Sequence, residues 1–203
     1  MEKSIVYVVD DDPSARDSLC WLLNTEGFET LAFDSADSLL SAWSRDWKGC
    51  ITLDIRMPGK NGLLLQQDLN MMNNLLPIII LTGHADVPIA IRAMKQGAFE
   101  FLEKPYSDRE LLTAVMSALK VGAKIDEAEI EKNKMISAVK SLTAREREVM
   151  LCVVEGNTNK LIAAELGISE KTVEIHRKNV MQKTRAGSLS GLVRIGLRIN
   201  IRN

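Results

Sequence analysis

Five short apolar runs recur along the first 120 residues, each followed by an amphipathic stretch, and this alternation constrains the fold more than any other feature. The runs at 5–9, 29–33, 50–53, 78–81 and 99–102 have strand length and are rich in Val, Ile, Leu and Phe. Stretches 14–26, 36–45, 62–72, 88–96 and 108–120 carry apolar residues at helical spacing, as in Leu19, Leu22 and Leu23 or Leu39, Leu40 and Trp43. Parallel strands need a crossover of helix length between them. Five strand-helix units in series therefore predict a doubly wound α/β domain, a five-stranded parallel sheet covered by helices on both faces. Sites in such sheets lie outside the C-terminal ends of the strands, which here carry Asp10 and Asp11, Asp54, Thr82 and Lys104.

The remainder reads as a second, all-α domain. Residues 121–140 are highly charged around Ile125, Ala128, Ile130, Met135 and Ile136, and read as a helical linker that could equally fray. Beyond them, Thr143 caps a helix to Val154, with Glu146 three residues on as its capping-box partner, and Gly156 ends it. Asn159 is expected to cap a short helix to Leu166, Gly167 to turn the chain, Ser169 to cap a longer helix to Lys183, and Ser188 to start a last one. A short helix, a glycine turn and a longer helix is the helix-turn-helix outline. The expected domains are 1–120, the linker 121–140, and 141–203.

Charge divides along the same line. Residues 141–203 hold 11 Lys and Arg against 6 Asp and Glu, a net of +5, while residues 1–140 hold 15 against 21, a net of −6. A basic domain behind an acidic one suggests that the second meets a polyanion. The longest apolar run, 75–81, has seven residues and contains Pro77, and 5–9 runs directly into three aspartates, so neither a membrane span nor an export signal is expected and the cytoplasm is. Cys20, Cys50 and Cys152 are far apart and without metal-ligand spacing, which favours reduced core thiols.

Three carboxylates converging at adjacent strand ends repel one another unless a cation sits among them, and a hard divalent ion such as Mg²⁺ answers that repulsion. Lys104 adds a positive charge for an anionic group, and Thr82 a hydroxyl. Together these residues describe a carboxylate placed to accept a phosphoryl group. The motifs VVDDDP at 8–13, DIRMPGKNG at 54–62, LTGH at 81–84 and EKP at 103–105 resemble the CheY-like receiver domain of two-component response regulators. That resemblance implies that a histidine kinase phosphorylates Asp54. It implies that Asp10, Asp11, Asp54 and the backbone carbonyl of Arg56 hold Mg²⁺ or Mn²⁺. Lys104 would pair with phosphoryl oxygens, the Lys104–Pro105 peptide would be cis, and Thr82 and Phe101 would switch, with homodimerisation on a surface that includes Arg92, Lys95, Arg109 and Leu112.

The segments LTAREREVM from 142, NKLIAAELGISEKTVEIHRKNVMQK from 159 and SLSGLVRIG from 188 resemble the LuxR-type helix-turn-helix domain of FixJ- and NarL-like regulators. By position in that motif, Glu174, Ile175 and Lys178 would read bases of promoter DNA, while Lys160, Lys171, Thr172, His176 and Arg177 would hold phosphates or brace the helix. For His176 a structural hydrogen bond is an equal reading. Val173, Val180 and the aliphatic Leu161, Ile162 and Leu166 are expected to pack the motif. The last helix, with Leu189, Leu192, Val193 and Leu197 at helical spacing, is either core or a pairing surface. The resemblance implies a phosphorylation-controlled transcription regulator, an activator by analogy, with RNA polymerase as a further partner. Two competing readings are DNA binding that ignores phosphate, and an enzyme acting on small phosphorylated substrates. The second lacks an acid at position 56, where Arg56 stands, and lacks a substrate domain.

Overall fold

The computed structural model describes residues 5–83 and 87–201 and divides into two compact units, Met1–Asp126 and Glu127–Asn203. His84, the last residue of the LTGH motif, lies outside the described residues. The first unit alternates strand and helix: β1 (Ile5–Val9), α1 (Pro13–Thr25), β2 (Glu29–Phe33), α2 (Ala36–Ala42), β3 (Gly49–Asp54), α3 (Gly62–Met71), β4 (Ile78–Thr82), α4 (Val87–Lys95) and β5 (Glu100–Glu103). Helix α5 (Asp108–Lys140) begins in this unit and ends in the second. The five strands pair in parallel in the order β2-β1-β3-β4-β5.

Alternating side chains of the central strands build two cores. Tyr7, Val9, Ile51, Leu53, Ile78 and Ile80 pack with Leu39, Leu65, Leu69 and Ala93 of α2, α3 and α4. Val6, Val8, Cys50, Ile79 and Leu81 face the other way, onto Leu19 and Leu23 of α1 and Leu111, Val115 and Ala118 of α5. Each such buried aliphatic side chain stabilises the fold by roughly 1.5–3 kcal/mol. β3 and β4 are buried along their whole length, as expected of strands covered on both faces.

Two glycines let backbones approach where a side chain could not. A Cβ on Gly49 would lie 1.8 Å from the carbonyl oxygen of Ile5, and one on Gly62 would lie 2.3 Å from that of Asp54. Helix α2 ends at Ala42, three residues before the expected Arg45, because Trp43 leaves helical geometry at ψ 136° and a turn over 44–47 follows. That turn delivers Trp47 onto Tyr7, the rings stacked at 4.0 Å and 5° apart. The charged stretch 121–140 is helical throughout, as part of α5.

The second unit holds the end of α5 with α6 (Ala144–Val154), α7 (Asn159–Leu166), α8 (Glu170–Thr184) and α9 (Leu189–Arg198). Its core joins Val139, Val149, Met150, Val153, Ile162, Val173, Val180, Leu192 and Ile195. Leu161, expected to pack the motif, is instead 57% exposed, while its neighbour Ile162 is fully buried. The cap of α7 is Thr158 rather than Asn159, its hydroxyl accepting from Leu161 N–H. The three cysteines are free; Cys50 and Cys152 are buried and Cys20 is half-buried.

The capping box of α6 is complete, and its Glu146 does more than cap. Its carboxylate accepts from the Thr143 N–H at 2.8 Å and from Lys183 Nζ of α8 at 2.6 Å while only 3% exposed. The Lys183 hydrogen bond, then that of Thr143, lowers its pKa from 4.5 to about 2. A depressed carboxylate stabilises the fold above its unfolded pKa and loses that contribution as pH falls through the folded one. Glu146→Gln is therefore expected to cost about 2 kcal/mol near neutrality, the worth of charged hydrogen bonds. The gap to wild type in urea unfolding should close as pH falls from about 4.5 to about 2.

Candidate functional site

The strand order reverses beside β1, whose neighbours β2 and β3 are reached by chains running to opposite sides, and the crevice at their C-terminal ends is where a ligand fits such a sheet. Asp10 follows β1, Asp54 ends β3, and both are nearly buried, 4% and 7% exposed. The run of three aspartates is split by role. Asp12 caps α1, accepting from Ser14 N–H at 2.9 Å ahead of Pro13 in the first turn; Asp10 enters the crevice; Asp11 stays partly exposed.

Lys104 follows β5 and spans the crevice. Its ammonium donates to Asp10 Oδ2 at 2.8 Å and to Asp54 Oδ1 at 2.9 Å. Asp54 Oδ2 accepts from the Arg56 N–H at 2.6 Å. Burial raises the pKa of the Asp54 carboxyl, opposed by Lys104. Burial pulls that of Lys104 down, but the two carboxylates outweigh it and hold the ammonium above its ordinary range. Thr82 is buried at the end of β4, its carbonyl accepting from the Lys104 N–H at 2.7 Å. Phe101 on β5 lies beside Ile80 and is half-buried against the core. The Lys104–Pro105 peptide is cis.

Among the described residues no three acidic, histidine or cysteine side chains are gathered as a ready set of metal ligands. The Lys104 ammonium takes the cationic place between Asp10 and Asp54. The donor chemistry nonetheless suits a hard cation: two buried carboxylates open onto one crevice, and Asp11 is the next residue of the same turn.

In the second unit, α8 sorts its side chains cleanly. Val173, Val180 and Thr184 are buried, and on the opposite face Lys171, Glu174, Ile175 and Lys178 are exposed. Lys160 on α7 is also exposed. Thr172 joins Ser169 in the cap of α8 at 2.8 Å. Arg177 turns inward and donates to Asn159 Oδ1 at 2.7 Å, tying α8 to the start of α7. His176 is partly buried, and its Nδ1 is buried with no hydrogen-bond partner among the described residues.

Residues 6–116 match the family described as response regulator receiver domain, and residues 140–195 the family described as bacterial regulatory proteins, luxR family. The transcriptional regulatory protein FixJ of Bradyrhizobium diazoefficiens is 43% identical over 201 residues, spanning 99% of this chain and 98% of its own. Nodulation protein W of the same organism is 45% identical over 199 residues, 98% of this chain and 88% of its own. Among solved structures, response regulator StyR matches with a TM-score of 0.84 at 42% identity over 97% and 99% of the two chains. Full-length FixJ from B. japonicum matches with a TM-score of 0.58 at 42% identity over 100% of both.

The chain is a two-component response regulator. It joins a CheY-like receiver to a LuxR-type helix-turn-helix domain and is a regulator of transcription, in a family of regulators rather than metabolic enzymes. Membership implies a histidine kinase and promoter DNA as its partners. None of the described helices of the regulator is long and apolar enough to cross a membrane.

Of the receiver residues expected from sequence, Asp10, Asp54 and Lys104 meet directly, Arg56 reaches Asp54 through its backbone N–H, and Thr82 adjoins Lys104 through the backbone. In the second unit Lys160, Lys171, Glu174, Ile175 and Lys178 face outward, whereas Thr172, His176 and Arg177 are drawn inward. Sequence reasoning missed Arg16, whose Nη1 donates to the backbone carbonyls of Asp10 at 2.7 Å and Asp11 at 3.4 Å. It thereby pins the turn that carries both acids. Position 16 lies three residues past Pro13, on the first turns of a helix that starts at the acidic run. That was the available signal, but an arginine on a helix face is ordinarily solvated.

Proposed function

We propose that the regulator accepts a phosphoryl group from a histidine kinase on Asp54 and that this modification strengthens its binding to promoter DNA as a dimer, activating transcription with RNA polymerase. The observation that supports this most is the pairing of the nearly buried Asp54 carboxylate with Lys104 at 2.9 Å in the crevice of the sheet. An Asp54 carboxylate oxygen attacks the phosphorus of a phosphohistidine, the P–N bond breaks, and its electron pair stays on the departing imidazole. Little covalent chemistry falls to the protein beyond positioning and charge neutralisation. Lys104, already on Asp54 Oδ1, is placed to meet the new phosphoryl oxygens.

Asp10, Asp11, Asp54 and the Arg56 carbonyl are the residues that would hold Mg²⁺, or Mn²⁺ in its place. Bound there, the ion supplies charge neutralisation at the phosphoryl oxygens. The added dianion biases a two-state element in which Thr82 moves toward the phosphoryl group and Phe101 turns inward. The surface with Arg92, Lys95, Arg109 and Leu112 then pairs two receivers. In this reading the receiver spans 1–120, the linker 121–140 and the DNA-binding domain 141–203. It works in the cytoplasm, and apart from slow self-hydrolysis of its own acyl phosphate it turns over no small molecule.

The test is DNA binding by wild type and Asp54→Asn on duplexes selected from a random pool, before and after Mg²⁺ with beryllofluoride. Wild type is expected to tighten by roughly tenfold, within the usual range of coupling energies, and the variant not at all. Equal binding in all four samples would mean that DNA binding ignores the receiver's phosphorylation.

A further inference from the structure

Resting on α8 as the helix that enters DNA, we infer that its exposed face reads a thymine methyl through Ile175 and a cytosine amino group through Glu174, while Lys171 serves the backbone. Positions 171, 174, 175 and 178 are spaced by three, one and three, which at 3.6 residues per turn places them on one stripe. Val173, Val180 and Thr184 occupy the opposite side and are buried. The stripe is therefore turned away from the core of its own unit.

Its chemistry is unlike that of a plain phosphate clamp. Ile175 is 53% exposed between two lysines, an apolar side chain that the unit's own core does not cover. In the major groove the one apolar group on base edges is the C5-methyl of thymine. Glu174 adds a carboxylate, its side chain 56% exposed and 3.7 Å from Lys171. A phosphate repels it, and the major-groove donor that a carboxylate accepts from most directly is the cytosine N4 amino group. Lys171, with a side chain 83% exposed, carries the charge that a duplex backbone attracts.

The full-length regulator, activated with Mg²⁺ and beryllofluoride, is used to select a duplex, and each thymine of that duplex is then replaced by deoxyuridine. One position in each half-site should lose about fourfold in affinity, the equivalent of one buried methyl group at about 0.8 kcal/mol. In Ile175→Ala the same replacement should change nothing, and in Glu174→Gln discrimination at one neighbouring C·G pair should fall by about tenfold. Both side chains are exposed, so the variants fold. A bound duplex indifferent to every thymine methyl overturns the assignment of Ile175 while DNA binding stands. Failure to select any duplex overturns the placement of α8 in DNA as well.

Discussion

Lys104→Met is expected to destabilise the receiver by about 3 kcal/mol near neutral pH, the cost of stripping one partner from a largely buried ion pair. In thermal unfolding that is a drop of about 10 °C for a unit of this size. The variant leaves the Asp10 and Asp54 carboxylates, 4% and 7% exposed, facing one crevice with no cation between them. Burial already raises the Asp54 carboxyl in the wild type, and a bare neighbouring carboxylate raises it further. The folded variant then binds a proton more readily than the unfolded chain, so its stability recovers as pH falls through the raised value. Unfolding followed from about pH 8 down to about pH 5 should show the deficit shrinking. A variant as stable as wild type at every pH would show that the ammonium contributes nothing to holding the crevice together.

Gly62→Ala should damage stability and chemistry together. The new methyl carbon would sit 2.3 Å from the carbonyl oxygen of Asp54 and 3.0 Å from Cα of Ile55, both backbone atoms that cannot swing aside as a side chain can. Overpacking of that kind costs about 3 kcal/mol. The strand end that must yield is the one bearing the phosphoacceptor candidate, and a displacement of about 1 Å at a reacting group lowers rate by roughly 100-fold. Urea unfolding and the rate of phosphoryl uptake from a small donor measure the two effects. Gly187→Ala, where an added methyl meets nothing within 4 Å, is the control. Gly62→Ala with normal uptake would separate α3 packing from Asp54 placement.

The alternation of strand and helix was legible because the inner strands β3 and β4 are buried on both faces and so are written in consecutive apolar residues, as in Ile78, Ile79, Ile80 and Leu81. Crevice residues were legible for a topological reason: whatever follows a strand in a doubly wound sheet is delivered to the same edge. What stayed hidden depends on single torsions and on partners distant in sequence. Helical spacing through Trp43 gave no sign that its backbone would turn extended to bring Trp47 onto Tyr7. Thr158 and Asn159 are both good caps, and the choice fell to the threonine, whose hydroxyl takes the Leu161 N–H while the asparagine's oxygen serves Arg177, 18 residues on. Leu161 and Ile162 are equally apolar, and only the packing of α7 decides which one is buried. The ion pair of Lys104 with Asp10 spans 94 residues, and no local pattern announces that a lysine will stand between two acids.

That lysine has a consequence for the regulator at rest. A cluster of like charges that depended on a diffusible ion would tie the integrity of the domain to the supply of that ion. Here the neutralising charge is covalently tethered to the chain, at 2.8 Å and 2.9 Å from the acids it serves. Standby is thus self-sufficient: the two acids keep a counter-charge of the chain's own, and the architecture of the crevice waits intact for its signal.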